Sequence, residues 1–299
     1  MKEVIEYPKI GIGVISYNSE KYIAECMDCL LSQSYDNLKI IVCDDHSSDD
    51  SSKILAAYAK NNPKKVQVVI NQENIGIQGN CNKCLHALDT PYATLIAADD
   101  IWSENKIEFE INTIRKTGTR WVYSQLGNID ANSTITDEVS PLSRCYVDHL
   151  QLLKAILSHK VRVFNWLAEK KFIEEVGFLK ENFKYVGDWE FNVLLAAKEM
   201  PAFVPSTTVY YRRHSESITS KGDYKIYINE FKSVYSSQRK LLERFDRAER
   251  KEILSSQRLM LKTIVQNSLL SSLYKGDILN AIYNMFLKIK YKFSPLPRF

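Results

Sequence analysis

The sequence predicts an α/β fold in which a mostly parallel β-sheet is covered by helices on both faces and followed by a helical region. The first observation is that short β-branched runs alternate with helical patterns between Ile10 and Ala98. The second is that each run ends in a short polar loop, as parallel strands joined by crossover helices require. The third is that the pattern after about residue 221 is helical.

Strand and helix patterns follow one another in order through the first hundred residues. The run Ile10–Ile15 leads into the turn cluster Ser16–Ser19, and a Gly- and Asn-rich loop occupies Asn71–Gly79. The predicted strands are Ile10–Ile15, Leu38–Cys43, Val66–Ile70 and Tyr92–Ala98, and the predicted helices are Glu20–Ser32, Ser51–Asn61 and Asn80–Leu88.

Periodicity is less regular between Thr117 and Val163 and becomes helical again near the end of the chain. The predicted elements are strands at Arg120–Ser124 and Thr207–Tyr211, a turn at Asp130–Ser133, and helices at Asp148–Leu157, Asp188–Ala197, 225–245, 250–274 and 277–291. The composition, 45% hydrophobic and 25% charged over 299 residues, excludes a disordered or fibrous chain.

Polar side chains collect where the predicted parallel strands end. Ligands in such sheets bind beyond the carboxyl ends of the strands. The side chains expected at that edge are Asn18, Asp44, Asp45, Asn74, Asp99 and Asp100. Four of these six carry carboxylates, so the sequence predicts a polar binding site at this edge.

Asp99 and Asp100 end a predicted buried strand, where two adjacent carboxylates need a cation or hydrogen-bond donors. Hard oxygen ligands of this kind suit Mg²⁺ or Mn²⁺, which also bind diphosphates. An alternative is that Asp100 is the N-cap of a following helix.

The six cysteines fit a reducing compartment, because they lie in apolar strand and helix patterns. The pairs Cys26–Cys29 and Cys81–Cys84 have the spacing of a four-thiolate zinc site, but both fall in amphipathic helix patterns without a Gly-rich knuckle. Core packing is therefore the favoured interpretation. The first ten residues carry acidic residues and no long apolar run, so we expect a cytoplasmic protein.

The motifs, in order, resemble those of glycosyltransferase family 2, inverting enzymes with a GT-A fold. They are Val14–Asn18, Val42–Asp49, Asn74–Gly76 with Asn82, Ile96–Asp100, Val186–Phe191 and Tyr210–His214. The chain departs from the family pattern at Cys81, Ala97 and Gly187, where the family often has Arg, Asp and Glu. The resemblance covers about residues 8–220.

The resemblance implies roles for residues on the donor side. Asp45 would hydrogen-bond the nucleotide base, Asp44 and Asn18 would support the pocket, and Tyr17 and Asn74 would line it. Asp99 would contact the ribose or the metal. The metal ligands would be Asp99, Asp100 and His214.

The second half would supply the reaction partners. The resemblance makes Asp188 the general base, which a sugar hydroxyl needs because it is a poor nucleophile. Arg212 and His214 would approach the diphosphate and stabilise the charge that develops on it. The alternatives without a catalytic role are a helix cap at Asp188 and a solvated basic turn around Arg213.

The implied protein is a metal-dependent glycosyltransferase of hexosyl or N-acetylhexosaminyl type. It would use Mn²⁺ or Mg²⁺ and a UDP-sugar donor, and it would act on a glycan or lipid-linked glycan in bacterial surface polysaccharide synthesis. Residues 1–220 would form the catalytic domain, with a nucleotide-binding half (1–105) and an acceptor half (106–220), and residues 221–299 a helical appendage. Two alternative functions are considered. A sugar nucleotidyltransferase is disfavoured because Ser16–Ser19 lacks a Gly-rich phosphate loop. The other alternative is a catalytically silent nucleotide-sugar-binding module.

The C-terminal region is basic, with sixteen Lys and Arg against seven Asp and Glu from residue 221 onward. An apolar stripe containing Leu279, Ile282 and Phe286 lies among its lysines. This pattern is typical either of a lid or packing helix or of a peripheral contact with the inner face of a membrane. No nucleic-acid-binding motif accompanies the charge.

Overall fold

The computed structural model describes residues 7–137, 139–140, 144–163, 166–217 and 223–274, the last four of these as backbone alone. In this part of the chain, nine strands form one sheet in the order β3-β2-β1-β4-β8-β6-β9-β5, with β7 paired to β6. The strands are β1 Ile10–Ser16, β2 Leu38–Asp44, β3 Val66–Ile70, β4 Tyr92–Ala97, β5 Ile101–Trp102, β6 Trp121–Ile129, β7 Ile135–Asp137, β8 Leu167–Glu169 and β9 Ala202–Arg212. The helices are α1 Ile23–Leu31, α2 Ser51–Asn61, α3 Gly76–Ala87, α4 Lys106–Thr117, α5 His149–Leu157, α6 Lys170–Val176, α7 Gly187–Lys198, α8 Tyr224–Ser237, α9 Arg239–Leu242 and α10 Arg247–Tyr274.

The first four strands are parallel, as predicted, and β1 lies between β2 and β4. Ile12 and Val14 face one side of the sheet, and Gly11 and Gly13 face the other side, against α3. A Cβ atom added at Gly13 would lie 2.8 Å from the Cβ atom of Cys84. Glycine therefore allows α3 to approach β1 closely, which explains the alternating Ile-Gly-Ile-Gly sequence.

Helices cover both faces of the sheet, as the sequence predicts. Helices α1, α2 and α4 pack on the face that carries Ile40 and Val42. Helices α3, α5, α6 and α7 pack on the face that carries Ile41 and Cys43. This alternation within β2 gives a strand that is buried on both sides, which is typical of parallel strands.

The two cysteine pairs lie on opposite faces of the sheet. Cys26 lies on α1 and belongs to one apolar cluster, whereas Cys81 and Cys84 lie on α3 and belong to the other. One metal ion therefore cannot bind both pairs.

The second half of the sheet is mixed, because β8 is antiparallel to β4 and β6 while β6 and β9 are parallel. Strands β6 and β9 are longer than predicted. The sequence does not predict the start of β9 because it contains Pro205, and proline lacks the N–H group that a strand donates to its neighbour. It lies at a register shift in which Val204 pairs with Ser124 and Thr208 pairs with Gln125.

Helix α3 begins one turn earlier than the prediction of Asn80. The backbone N–H groups of Ile75 and Gly76 donate to the carboxylate of Asp45, 2.9 Å away in both cases. This cap comes from a loop thirty residues earlier, so the local sequence does not display it. The predicted bounds of α2 and β3 are confirmed.

The C-terminal helices α8 and α10 pack on the segment that leads into α7. Their buried residues Ile228, Phe231 and Val265 form a third apolar cluster with Phe183 and Val186. The predicted helix 277–291 lies outside the described residues. Within the described ranges, none of the helices combines the length and the apolar character needed to cross a membrane.

A buried ion pair lies on α4. Lys106 Nζ and Glu110 Oε2 are 2.6 Å apart, and both side chains are fully buried. Ser124 Oγ also donates to Glu110, and the Lys106 ammonium lies 4.2 Å from the centroid of the Trp102 ring. Burial lowers the pKa of Lys106 and raises the pKa of Glu110, and each partner opposes that shift in the other.

We expect Lys106→Met to lower the free energy of unfolding by about 3–5 kcal/mol, because it leaves the buried Glu110 unpaired. The double variant Lys106→Met/Glu110→Met should be much less destabilised, since the buried charge is gone and the volume is kept. Urea denaturation of wild type, Lys106→Met, Glu110→Met and the double variant measures both effects. A double variant whose loss equals the sum of the two single losses would show that the pair is not coupled.

Candidate active site

The ends of β1, β2 and β4 bring the predicted donor-side residues to one edge of the sheet. In β1, Ser16 is paired with Asp44 and Ile15 with Ala97. The backbone continues this pairing, because Asp45 N–H donates to Ser16 O and Ala98 N–H donates to Ile15 O. The loop with Tyr17 and Asn18 therefore starts between the two acidic pairs, as the parallel topology predicts.

Asp44 and Asn18 tie the loops after β1 and β2 together. The carboxylate of Asp44, which is fully buried, accepts hydrogen bonds from Ser16 Oγ at 2.9 Å and from Ser47 Oγ at 2.6 Å. Asn18 Oδ1 accepts from Ser48 N–H, and Asn18 N–H donates to Ser47 Oγ. Tyr17, between these loops, is 52% exposed and so can reach a ligand.

Asp45 is buried at the start of α3. Besides the two amides that open the helix, its carboxylate accepts a 2.7 Å hydrogen bond from Asn71 Nδ2. Asn71 Oδ1 in turn accepts from Lys83 Nζ at 2.6 Å. Asn74 is exposed beside this group, and its Nδ2 donates to Asp45 O.

Lys83 and Asn71 are members of this site that the motif comparison did not identify. Lys83 lies two positions after Cys81, where the family often has arginine, and it brings a cation to the group around Asp45. The available signal is a lysine in a helix whose other residues are mostly buried, where its charge needs a polar partner.

Asp99 and His214 meet at the same edge. His214 Nε2 lies 3.0 Å from Asp99 Oδ2, and the Asp99 side chain is 27% exposed. Asp100 is buried and accepts a 2.9 Å hydrogen bond from the backbone N–H of Arg212. The N-cap alternative for Asp100 is wrong, because β5 follows it and α4 starts at Lys106.

Arg212 lies behind His214 and is almost completely buried, with 1% of its surface exposed. Its guanidinium donates to Asp99 O at 2.6 Å and to Glu25 Oε2 at 2.6 Å. A further nitrogen donates to Asp130 O and Ser133 Oγ. These two bonds measure 3.2 Å and 2.8 Å. In this arrangement the guanidinium supports the edge from inside and does not face the solvent.

An aromatic ring joins Arg212 to His214. The Tyr22 ring lies 4.7 Å from the Arg212 guanidinium carbon and 4.9 Å from the His214 ring centroid. Tyr22 is the N-cap residue of α1 and Glu25 lies in its first turn, so the start of this helix packs on the strand that carries the basic residues. Arg213, next in sequence, is exposed and donates to Asn128 Oδ1.

The predicted metal ligands Asp99, Asp100 and His214 follow the ends of β4 and β9. Among the described side chains, no three His, Cys, Asp or Glu residues converge to hold a metal ion on their own. Asp99 and His214 nevertheless present an oxygen and a nitrogen donor at one point of the edge, while Asp100 is held behind them. A divalent ion needs one or two protein carboxylates when diphosphate oxygens complete its shell, so these residues fit it.

Asp188 lies in the first turn of α7 and is half-buried. The N-cap residue is Val186, so Asp188 is not the N-cap, but its Oδ1 accepts a 2.7 Å hydrogen bond from the first-turn amide of Trp189. Burial raises the pKa of Asp188, an effect that the Trp189 amide and the Arg162 charge oppose. A carboxylate with a raised pKa is a better proton acceptor.

Two helix starts meet beside Asp188. A Cβ atom added at Gly187 would lie 2.5 Å from Gln78 Cδ, so the first turns of α7 and α3 are in close contact. After burial, the charge of Asp188 is the largest cause that raises the pKa of Cys81, which also lies on α3. Because α3 starts at the carboxylate of Asp45, this contact brings Asp188 toward the edge of the sheet that carries Asp45. Gly187, one departure from the family pattern, thus faces α3, the helix that carries a second departure, Cys81.

The chain is similar to known proteins in sequence. The model of the family described as "Glycosyl transferase family 2" matches residues 12–177, more than half of the chain. EpsH of Bacillus subtilis (strain 168), which is named as a glycosyltransferase, is 28% identical over 233 residues, covering 75% of this chain and 66% of that protein. WfgD of Escherichia coli is 28% identical over 137 residues, covering 46% of this chain and 53% of that protein. WfgD is named as a UDP-Glc:alpha-D-GlcNAc-diphosphoundecaprenol beta-1,3-glucosyltransferase. The chain thus spans about half to two thirds of the length of these relatives.

The fold is similar to that of a solved structure. The crystal structure of S. aureus TarS 1-349 in complex with UDP-GlcNAc matches with a TM-score of 0.62. The match covers 97% of this chain and 93% of that chain at 15% sequence identity. At this identity the likeness concerns the fold, and it confirms the predicted GT-A architecture with its helical C-terminal region.

Proposed function

Because this chain belongs to glycosyltransferase family 2, we propose that it transfers a sugar from a UDP-sugar to a hydroxyl of a glycan or lipid-linked glycan, with inversion. The observation that carries the proposal is the contact between the starts of α3 and α7. It brings the half-buried Asp188 next to the helix that the carboxylate of Asp45 caps. In the proposal, Asp188 would be the proton acceptor, and the polar group around Asp45 beside it would form the nucleotide pocket.

The donor would lie along the edge formed by the loops after β1, β2 and β4. Tyr17, Asn74 and the Asp45–Asn71–Lys83 group would contact the nucleoside, and Asn18 and Asp44 would hold the two loops in place. Asp99 and His214 would face the diphosphate. Arg212 would stabilise this edge from behind through its contacts with Asp99 and Glu25.

Asp99 and His214, supported by Asp100, would hold Mn²⁺ or Mg²⁺, and the ion would neutralise charge on the leaving diphosphate. His214, which contacts Asp99, would also stabilise this charge as it develops.

The reaction would be a single displacement at the anomeric carbon. The acceptor oxygen forms a bond to this carbon while the bond from the carbon to the diphosphate oxygen breaks. The hydroxyl proton passes to the carboxylate of Asp188. Attack from the side opposite to the leaving group inverts the anomeric configuration.

The acceptor class is extended from a relative. WfgD is named for transfer to a sugar on a diphosphoundecaprenol lipid, and we propose a related glycan or lipid-linked acceptor in bacterial surface polysaccharide synthesis. Hexose and N-acetylhexosamine are the sugar classes to test first.

The test is a panel of nucleotide sugars measured in two steps. Thermal stabilisation with each donor in the presence of Mn²⁺ identifies the sugar that binds, because a ligand of the folded state raises its stability. Mass spectrometry of added lipid-linked and free glycans then detects the transferred sugar. Binding without transfer to any acceptor would favour the silent binding module, and no binding of any nucleotide sugar would reject the proposal.

We also propose that the basic C-terminal segment makes peripheral contact with an anionic membrane. We expect deletion of residues 277–299 to reduce co-sedimentation with vesicles that contain anionic lipid, because the segment combines lysines with an apolar stripe. Neutral vesicles are the control. Equal co-sedimentation of both proteins with anionic vesicles would leave the segment as packing helices.

A further inference from the structure

A carboxylate from the C-terminal helices binds the backbone that leads into α7. Glu230 lies on α8 and is 8% exposed. Its Oε1 accepts a hydrogen bond from Lys184 N–H at 2.6 Å, and its Oε2 accepts from Tyr185 N–H at 2.8 Å and Val186 N–H at 3.3 Å. One side chain therefore satisfies three consecutive amides immediately before the helix that carries Asp188.

Further contacts hold the same segment from α8. The Tyr185 hydroxyl accepts a 3.0 Å hydrogen bond from Asp223 N–H at the start of α8, and the Tyr185 and Tyr227 rings are 5.4 Å apart. Val186 and Phe183 are buried in the apolar cluster that α8 and α10 complete. The residues on the N-terminal side of Asp188 are thus fixed by both polar and apolar contacts.

The residue that follows Asp188 is fixed by the same helix. The Trp189 ring stacks on His159 at 4.5 Å and packs against Phe231 and Tyr235 of α8 at 5.5 Å and 5.8 Å. The His159 Nε2 atom and the Tyr235 hydroxyl are 2.7 Å apart, which links this group to the end of α5. Asp188 therefore lies between two anchor points on α8.

We propose that Glu230 is a positioning residue that holds the first turn of α7, and with it the carboxylate of Asp188, in place for proton transfer. The inference rests on the proposed function, in which Asp188 is the base. It gives the C-terminal helices a role in catalysis, because the anchor for the base comes from α8.

The charge of Glu230 is what the three amides require. A carboxylate can accept several hydrogen bonds at once, whereas a glutamine amide offers one accepting oxygen and turns an NH₂ group toward the remaining donors. Glu230→Gln therefore keeps the shape of the side chain but leaves at least one of the three amides facing a donor. Displacement of a catalytic group by about 1 Å can lower a rate by about 100-fold.

The experiment compares wild type, Glu230→Gln and Glu243→Gln, all as the full chain. Glu243 is an exposed glutamate in the same helical region, so it controls for the loss of a negative charge. We expect Glu230→Gln to lower kcat by about 10- to 100-fold, with KM for the donor within about twofold of wild type. Glu243→Gln should match wild type in both.

Hydrogen exchange of the peptide covering residues 183–190 provides a readout that does not depend on activity. In Glu230→Gln we expect these amides to exchange at least about tenfold faster, with exchange in the sheet strands unchanged. The proposal would be overturned by unchanged exchange of this peptide, by faster exchange throughout the protein, or by faster local exchange at wild-type kcat. A wild-type protein that transfers no sugar would reject the proposed function and, with it, the positioning role. In that case, faster exchange of this peptide in Glu230→Gln than in wild type would still show that Glu230 anchors the segment.

Discussion

Replacing Asp188 with asparagine is expected to lower kcat by about 10²- to 10⁴-fold while the affinity for the nucleotide sugar is retained. Asparagine has nearly the same shape and can still accept the 2.7 Å hydrogen bond from Trp189 N–H, but it cannot take a proton from the acceptor hydroxyl. Transfer rates at saturating donor, together with donor binding by calorimetry, separate the two effects.

The pH dependence of kcat in the wild-type enzyme also tests whether Asp188 is the base. Burial raises the pKa of Asp188, and the charge of Arg162 opposes this shift. The other ionisable groups that face Asp188 are Cys81 and Tyr227, whose own pKa values are raised by the charge of Asp188. The base works only when deprotonated, so kcat should fall as the pH decreases through this raised pKa. The acidic limb should therefore lie at a higher pH than an exposed aspartate, with its pKa near 3.9, would give.

The matched control is Asp148→Asn. Asp148 also lies at the start of a helix, where its Oδ1 accepts from Gln151 N–H at 2.8 Å, but nothing in the proposed reaction involves it. It should keep wild-type kcat and the same acidic limb. Full transfer by Asp188→Asn would reject the assignment of the base.

Replacing Arg212 with methionine is expected to lower the free energy of unfolding by about 3 kcal/mol or more and to reduce activity at the same time. The change removes the buried partner of Glu25 and leaves the carbonyl oxygens of Asp99 and Asp130 without this donor. His214 also loses support, because the Tyr22 ring that contacts it packs on the guanidinium. Urea denaturation and transfer assays measure the two losses.

Arg213→Met provides the comparison for this result. Arg213 carries the same charge one position later but is exposed, with a 3.1 Å hydrogen bond from its Nε to Asn128 Oδ1. We expect it to lose less than about 1 kcal/mol, as exposed polar contacts do. Equal stability of Arg212→Met and wild type would show that the buried network does not stabilise the edge.

The parallel half of the fold could be predicted because its strands and helices are encoded by local patterns. Val66–Ile70 and Ser51–Asn61 have the predicted bounds, since short β-branched runs and apolar helix faces need no distant partner to be recognised. The polar edge of the sheet follows from the same patterns, because parallel strands bring their carboxyl ends together. Which side chains face a ligand did not follow, as the buried Arg212 illustrates.

Elements that depend on distant partners cannot be predicted from local patterns. The two-residue strand β5 exists because Ile101 and Trp102 pair with β9 more than a hundred residues away. The first turn of α3 depends on the carboxylate of Asp45. In both cases the hydrogen bonds are long-range in sequence, so a local pattern contains no sign of them.

The sequence by itself determined the α/β class, the order of the first strands and helices, and the row of acidic residues at the ends of the strands. Only the tertiary structure decided that Arg212 faces inward, that Gly187 lets α7 contact Gln78, and that Glu230 of α8 binds the backbone before Asp188. The physical reason is that periodicity reports which face of an element is buried. The partner of a buried charge or amide, in contrast, is chosen by how the elements pack.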